Sequence, residues 1–260
     1  MDDTHIPIRS RFTYTVIGTD TDVLDRLTPH ALFGFKQEAA TVHAHQLGMS
    51  PYVEAKNGAW LLRRSRARWF RRPRFRDDVT VETWSRGVSL VTFLRDFTFY
   101  INGDFAHPAG IGSSEWIIAD KATHKPLRPF DVIPANLINT RCDPAFAIDA
   151  KSPRLAEPAE APAYMQRREI GYAELDHNHH VNNTFYLRYG IDAVALALHR
   201  RNRLDAARLD FADMDVAYLR ELSFGDRLEL YAAEQEGAWY VEGIRNEAER
   251  CFRMTLRPFA

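Results

Sequence analysis

The sequence predicts an α+β fold in which one unit, made of strands and a long helix, occurs twice. Both halves show the same order of elements: a short strand, a long helix pattern and then several strands with alternating polar and apolar residues. Short motifs also match between the halves at a spacing of roughly 150 residues. Two copies of one unit indicate a pseudo-two-fold arrangement, with two sheets joined edge to edge.

The first half begins with a strand at 10–18, which is rich in Thr, Tyr, Phe and Val. Thr28-Pro29 is a typical helix start, and Gly48 is a suitable residue to end that helix. Asn102-Gly103 is a hairpin-turn signal between two of the later strands. The strands that follow the helix are predicted at 59–70, 78–85, 91–101 and 111–120.

A proline- and alanine-rich segment at 141–165 shows little periodicity and is predicted to be a linker. It separates an N-terminal unit at 1–140 from a C-terminal unit at 166–260. The second unit should contain a strand at 166–175 and a helix at 183–200. Its remaining strands are predicted at 214–222, 226–233, 239–246 and 250–258.

Three pairs of motifs support the repeat. They are Ile17-Gly18 with Ile170-Gly171, Phe75-Arg76-Asp77 with Phe224-Gly225-Asp226, and Trp69-Phe70-Arg71-Arg72 with Tyr218-Leu219-Arg220-Glu221. The second helix is apolar nearly all round, which is typical of a helix that is buried on most sides. A long buried helix wrapped by an antiparallel sheet is the hot-dog arrangement. We therefore predict a double hot-dog, two tandem units that form a pseudo-dimer.

The composition excludes several classes of protein. The chain is 45% hydrophobic and 27% charged with a net charge of −1, so no global field favours nucleic acid or a membrane surface. The two cysteines, Cys142 and Cys251, lack metal-ligand spacing, which favours reduced thiols in a cytoplasmic setting. We see neither a signal peptide nor an apolar run near the ~20 residues that span a bilayer.

The stretch from Asp176 to Asn183 holds the densest set of chemically active side chains. In an extended segment, Asp176, Asn178 and His180 would share one side, with His177 and His179 on the other. A carboxylate, an amide and an imidazole would then converge just ahead of a helix N-terminus. Adjacent residues rarely reach one metal ion with proper geometry, so we expect no metal here.

Asp176-x-Asn178-x-His180-Val181-Asn182-Asn183, the duplication and the 112–120 string GSSEWIIAD resemble the acyl-acyl carrier protein thioesterases of plants and bacteria. The resemblance covers nearly the whole chain. It implies hydrolysis of acyl-acyl carrier protein to free fatty acid, which terminates fatty-acid synthesis. It also implies an acidic acyl carrier protein as partner and no cofactor.

The resemblance adds Glu221, which lies in the family's Tyr-x-Arg-Glu context and should follow the helix on a strand. His180 and Glu221 would promote attack by water, with Asn178 on the carbonyl or the water and Asp176 as an orienting group. Backbone N–H groups around Asn182 and Asn183 could stabilise the oxyanion, although both residues are most simply helix caps.

Other positions limit the mechanism. Plant members often have Cys immediately after the glutamate, but Leu222 stands there, so a thiol nucleophile is poorly supported. The first unit has Arg72 at the place of Glu221, and Arg26, Leu27 or Thr28 near that of His180. We therefore expect one site per chain, with the first unit forming the wall and the acyl pocket.

Arg64, Arg66 and Arg68 would share one strand face. This stripe is either an outer sheet face balanced by nearby acids or a docking surface for an acidic carrier protein. The tryptophans Trp60, Trp69, Trp84 and Trp116 are expected in the core, some of them along the acyl cavity.

Other functions compete with carrier-protein hydrolysis. An acyl-CoA thioesterase of the same fold is the main alternative, followed by a hot-dog hydratase or dehydratase and by a non-enzymatic acyl-binding module. Homodimers are common for such folds, but the fused repeat also allows a monomer.

Overall fold

Ten antiparallel strands form one continuous sheet in the computed structural model, which describes residues 8–138, Ile148 and 157–259. The spatial order is β1-β3-β4-β5-β2-β7-β10-β9-β8-β6. The strands of the first unit are β1 (Arg9–Thr15), β2 (Gly58–Trp69), β3 (Asp78–Ser89), β4 (Thr92–Ile101) and β5 (Gly110–Asp120). Those of the second are β6 (Ala163–Glu169), β7 (Phe211–Tyr218), β8 (Arg227–Gln235), β9 (Ala238–Arg245) and β10 (Glu249–Pro258).

The two long helices are α1 (Pro29–Gln46) and α5 (Phe185–Arg200), which pack on β3 and β8 and against each other. Thr28 caps α1 as predicted, since its hydroxyl accepts the N–H of Ala31 at 3.2 Å. Gly48, with φ of +72°, follows the helix in the left-handed conformation that a glycine adopts at low cost. Side chains of both helices belong to one hydrophobic core, so a single core spans the two units.

Three short helices were not predicted: α2 (Ser50–Ala55), α3 (Pro129–Val132) and α4 (Ala135–Ile138). They belong to a second, smaller hydrophobic cluster beside β4 and β5, which includes Val53, Phe93 and Ile118. No helix among the described residues is both long and apolar enough to cross a membrane.

The double hot-dog prediction is confirmed. The order β1-β3-β4-β5-β2 in the first unit is repeated by β6-β8-β9-β10-β7 in the second. Equivalent hydrogen bonds correct one detail of the sequence match. The N–H of Val16 donates to the carbonyl of Asp77, and that of Ile170 donates to the carbonyl of Asp226, both at 2.9 Å. Ile170 therefore corresponds to Val16 rather than to Ile17.

The predicted linker at 141–165 lies mostly outside the described residues, as does Cys142. The predicted end of the linker at residue 165 is wrong, because β6 already begins at Ala163. The same strand ends at Glu169, well before the predicted end at Leu175.

The two units join through β2 and β7, which pair only between Arg64–Arg68 and Asp213–Ala217. The N-terminal part of β2 stays paired with β5 but leaves β7. A β-bulge between Leu62 and Arg64 accompanies this divergence, and Arg63 is its extra residue. A gap therefore opens between the start of β2 and the loop that follows β7.

The arginine stripe on β2 forms ion pairs with two acids of β7, Asp213 and Asp215. Arg64 binds Asp215 through two hydrogen bonds, Nε to Oδ1 at 2.7 Å and Nη2 to Oδ2 at 2.6 Å. Arg66 Nε lies 3.1 Å from Asp215 Oδ2, and Arg68 Nε donates to Asp213 Oδ2 at 2.8 Å. These contacts favour the balanced sheet face over the predicted carrier-docking surface, because all three arginines already contact acids at the junction of the units.

Lys36 is a buried cation inside the first unit. Its ammonium donates to the Ser65 hydroxyl at 2.9 Å and to the Arg66 carbonyl at 2.7 Å. Burial lowers the pKa of Lys36 to about 7. The side chain lies close to Gly112, where a Cβ would approach it at 3.4 Å, so this residue ties α1 to the middle of the sheet.

Asp215→Ala should destabilise the fold by about 3 kcal/mol, because Arg64 would lose both hydrogen bonds in a nearly buried site. Asp213→Ala is the matched control and should cost less than about 1 kcal/mol, since the Arg68 side chain is 46% exposed. Urea unfolding of both variants measures the difference. Equal losses of unfolding free energy in the two variants would contradict a special role for the ion pairs of Asp215.

Candidate functional site

The gap beside the unit junction is a cleft of about 750 Å³. The second unit contributes most of the 176–183 stretch and Tyr218–Glu221, whereas the first contributes the start of β2 and parts of α1, α2 and β5. The predicted residues that line it are Asp176, Asn178, His180, Asn183 and Glu221. Arg64, Arg66 and Arg68 do not line it.

The 176–180 segment is a tight turn, so the prediction of an extended segment is wrong. The N–H of Asp176 donates to the carbonyl of His180 at 2.8 Å, and His179 has a left-handed φ of +64°. The carboxylate of Asp176 accepts the backbone N–H of Asn178 at 2.8 Å, an Asx-turn contact. Asp176, Asn178 and His180 still face one cleft, but the turn brings them there, and it adds exposed His177 to the lining.

His180 and Glu221 form the central pair of the cleft. Nε2 of His180 lies 3.2 Å from Oε2 of Glu221, and both side chains are about one-third exposed, at 32% and 35%. Glu221 lies in the loop after β7 rather than on the predicted strand. An imidazole and a carboxylate at this distance, open to solvent, can share and transfer a proton.

Backbone contacts hold this pair together. His180 forms an antiparallel bridge with Ser223, and the N–H of Val181 donates to the carbonyl of Leu222 at 2.8 Å. Arg245 donates to the Glu221 carbonyl at 2.8 Å. The turn and the loop after β7 therefore fold as one unit that sets the geometry between His180 and Glu221.

Asn182 and Asn183 have different structural roles. The side-chain oxygen of Asn182 accepts the N–H of Thr184 at 3.0 Å in an Asx turn, but Thr184 is the N-cap residue of α5, so the helix-cap prediction for Asn182 and Asn183 is wrong. The N–H of Asn182 already donates to the Glu174 carbonyl, so it is not available for an oxyanion. Asn183 instead donates from Nδ2 to Oε1 of Gln37 in α1 at 2.7 Å, which links the site to the first unit.

The first unit contains the same turn with different side chains. The N–H of Asp22 donates to the Arg26 carbonyl at 2.9 Å, and the Asp22 carboxylate accepts the N–H of Leu24 at 2.9 Å. Arg26 bridges Arg74 as His180 bridges Ser223, so Arg26 is the residue at the place of His180. Leu27 and Thr28, the other predicted equivalents, follow one and two positions later.

Two arginines close this symmetry-related position. Arg26 and Arg72 contact the carboxylate of Asp210 at 3.0 and 3.2 Å, and both arginine side chains are only 7% exposed. Arg72 also donates to the carbonyls of Leu27 and Phe211, at 2.7 and 3.1 Å. This position of the first unit therefore has no imidazole–carboxylate pair, and its two arginines are buried. Both facts support one site per chain.

An apolar cavity of about 100 Å³ adjoins the cleft inside the first unit. Cavity and cleft share four lining residues, Thr41, Ser50, Trp60 and Trp116. At one wall, buried Arg95 donates to the Thr83 hydroxyl at 3.2 Å and lies 2.9 Å from Nδ1 of His43. Trp60 and Trp116 therefore line the cavity, whereas Trp69 and Trp84 are core residues.

Cys251 lies away from the cleft, in β10. It is fully buried, and its thiol donates to the Gly243 carbonyl at 3.2 Å. Burial raises the pKa of the Cys251 thiol to about 12. No cysteine lines the cleft in the part of the chain that the structure describes, which supports a mechanism without a thiol nucleophile.

Two family models match the chain. The acyl-ACP thioesterase N-terminal domain matches residues 9–136, and the acyl-ACP thioesterase C-terminal domain matches residues 159–250. The chloroplastic oleoyl-acyl carrier protein thioesterase of Coriandrum sativum is 25% identical over 207 residues, 71% of this chain and 53% of the relative. The chloroplastic palmitoyl-acyl carrier protein thioesterase of Gossypium hirsutum is 23% identical over 210 residues, 76% and 49% of the two chains. This chain spans about half the length of these curated relatives.

Solved structures share the fold over nearly the full length. The 12:0-ACP thioesterase from Umbellularia californica superposes with a TM-score of 0.82 at 17% identity, covering 96% of this chain and 97% of the other. An acyl-ACP thioesterase from Bacteroides thetaiotaomicron superposes with a TM-score of 0.75 at 20% identity, again covering 96% of this chain and 97% of the other.

Cys251 should resist alkylation in the folded chain at pH 8, because the thiol is buried and its pKa lies well above that pH. Iodoacetamide treatment followed by peptide mapping measures the alkylation of Cys251 separately from that of Cys142. Unfolding in urea should make Cys251 reactive and serves as the positive control. Rapid labelling of Cys251 without unfolding would contradict its assignment as an inert core residue.

Proposed function

This chain belongs to the acyl-acyl carrier protein thioesterase family, and from that premise we propose that it hydrolyses acyl-acyl carrier protein to a free fatty acid and the carrier thiol. The observation that carries the proposal is the pair of His180 Nε2 and Glu221 Oε2, 3.2 Å apart in a cleft that adjoins an apolar cavity. Such a site combines a base for water with room for an acyl chain.

The chemistry follows from the groups at the cleft. His180 and Glu221 together take a proton from a water molecule, whose oxygen attacks the thioester carbonyl carbon. The C–S bond then breaks, and the thiolate receives a proton from the same pair. Because a thiolate leaves readily, no separate strong acid is needed. General acid–base groups of this kind typically contribute about 10²–10⁴-fold to the rate.

Asn178 is assigned to the carbonyl oxygen. Its side-chain amide lines the cleft and makes no hydrogen bond to the other described residues, so it can donate to the developing oxyanion. Asp176 is a positioning residue, because its carboxylate accepts the backbone N–H of Asn178 and thereby shapes the turn.

The acyl chain is assigned to the apolar cavity of the first unit. Thr41, Trp60 and Trp116 connect this cavity to the cleft, so a chain whose thioester lies at His180 can extend into it. The second unit then supplies the reacting groups, and the first unit limits the length of the acyl chain.

His180→Ala and Glu221→Gln should each lower kcat on an acyl-carrier substrate by about 10²–10⁴-fold, because each removes half of the proton-transfer pair. His179→Asn is the matched control, since this neighbouring histidine is exposed and does not line the cleft, and asparagine tolerates its left-handed backbone. Purified variants are assayed for thiol release with acyl-carrier protein and acyl-CoA side by side. The assignment is wrong if both site variants retain near wild-type turnover.

Ala44→Leu should shorten the fatty acids released, because the added carbons occupy the apolar cavity that Ala44 lines. Free fatty acids are profiled after expression in a host that synthesises them. Ala233→Leu is the control, as Ala233 is also half-buried but lies in β8 of the other unit. An unchanged profile from a folded Ala44→Leu protein would place the acyl chain elsewhere.

A further inference from the structure

Three exposed cations, Arg63, Lys121 and Arg220, line the mouth of the cleft, and we call them the cationic rim. None of the three forms an ion pair with an acid among the described residues. Among the described residues, the guanidinium of Arg220 donates only to the neighbouring carbonyl of Leu219, at 3.0 Å. The rim therefore differs from the arginine stripe on β2, in which each arginine contacts Asp213 or Asp215.

The backbone of each rim residue is held in place by its own segment. Arg63 is the extra residue of the β2 bulge, and bulges are a common way to re-aim a side chain. Lys121 begins a turn fastened by the Asp120 carboxylate, and its N–H donates to the Asn57 carbonyl at 2.9 Å. The N–H of Arg220 donates to the Cys251 carbonyl at 3.0 Å.

No acid that lines the cleft forms an ion pair with a rim residue in the part of the chain that the structure describes. Glu221 faces His180, and the Asp176 carboxylate accepts the N–H of Asn178. Arg245 contacts Glu249 and Asp226, so it adds little free positive charge. Glu54 is the remaining acid of the lining, which therefore holds three acids against the three rim cations and Arg245.

We propose that the cationic rim is the docking surface for the acidic face of the acyl carrier protein. This proposal rests on the proposed function, because a thioester that enters the cleft on a flexible arm leaves the carrier body at the cleft mouth. Exposed cations without acidic partners lose no existing ion pair when they meet an acidic surface. Complementary charge of this kind raises the association rate and orients the partner.

The rim variant Arg63→Gln/Lys121→Gln/Arg220→Gln tests the proposal. The control variant Arg76→Gln/Arg208→Gln/Arg257→Gln removes the same charge from exposed residues that do not line the cleft. Three substrates with the same acyl group are compared: acyl-carrier protein, acyl-CoA and the small thioester acyl-N-acetylcysteamine. The measured quantity is the ratio of kcat/KM on acyl-carrier protein to kcat/KM on each of the others.

The rim variant should lower both ratios about tenfold or more, mainly through KM, and rising salt should shrink the difference from wild type. The control variant should keep both ratios near wild type. The proposal is overturned if the two variants behave alike. It is also overturned if acyl-CoA activity falls as far as acyl-carrier activity, since the rim would then bind a phosphate group common to both donors.

Direct binding separates this proposal from the proposed function. The Kd of the carrier protein bearing its free thiol, without an acyl group, is measured by calorimetry for wild type and both variants. About tenfold weaker binding by the rim variant alone supports docking even if no thioester is hydrolysed. If hydrolysis by wild type is observed but the rim variant binds the carrier as tightly as wild type, docking fails and the function stands.

Discussion

The short pairing of β2 with β7 is the constraint on which the rest of the structure depends. Five residues of each strand hold the two units in one sheet, and the Arg64–Asp215 pair reinforces this contact with two hydrogen bonds. Because the pairing stops at Arg64, the start of β2 separates from the loop after β7. The cleft is the space left by that separation, so the contact that joins the units also opens the site.

The same type of backbone turn occurs once in each unit and has a different role in each. In the first unit, Arg26 and Arg72 contact Asp210 and close the space. In the second unit, His180 and Glu221 occupy the equivalent places and stay partly open to solvent. The backbone hydrogen bonds of the two turns are alike, so the difference lies in the side chains. Duplication thus produced one position that stabilises the junction of the units and one that can carry chemistry.

Local patterns predicted most of the elements but failed where turn chemistry took over. The Thr28 N-cap of α1 and the runs rich in β-forming residues act over a few positions, and the helix start and strands that they predict are present in the structure. The 176–180 stretch was expected to be extended, yet Asp176 and left-handed His179 close a turn. Asp followed by Asn two positions later is itself a turn signal, so closer attention to Asx turns could have found it. The β2 bulge at Arg63 has no comparable local signal.

The sequence by itself determined the repeat, the fold class, the family and the group of residues that contains the site, because each of these depends on periodicity or on motifs within a short stretch. Only the tertiary structure decided that His180 lies 3.2 Å from Glu221 and that Arg64, Arg66 and Arg68 form ion pairs with acids of β7. Both outcomes depend on the register between segments far apart in the chain. Register follows from packing of the whole sheet, and no single segment encodes it.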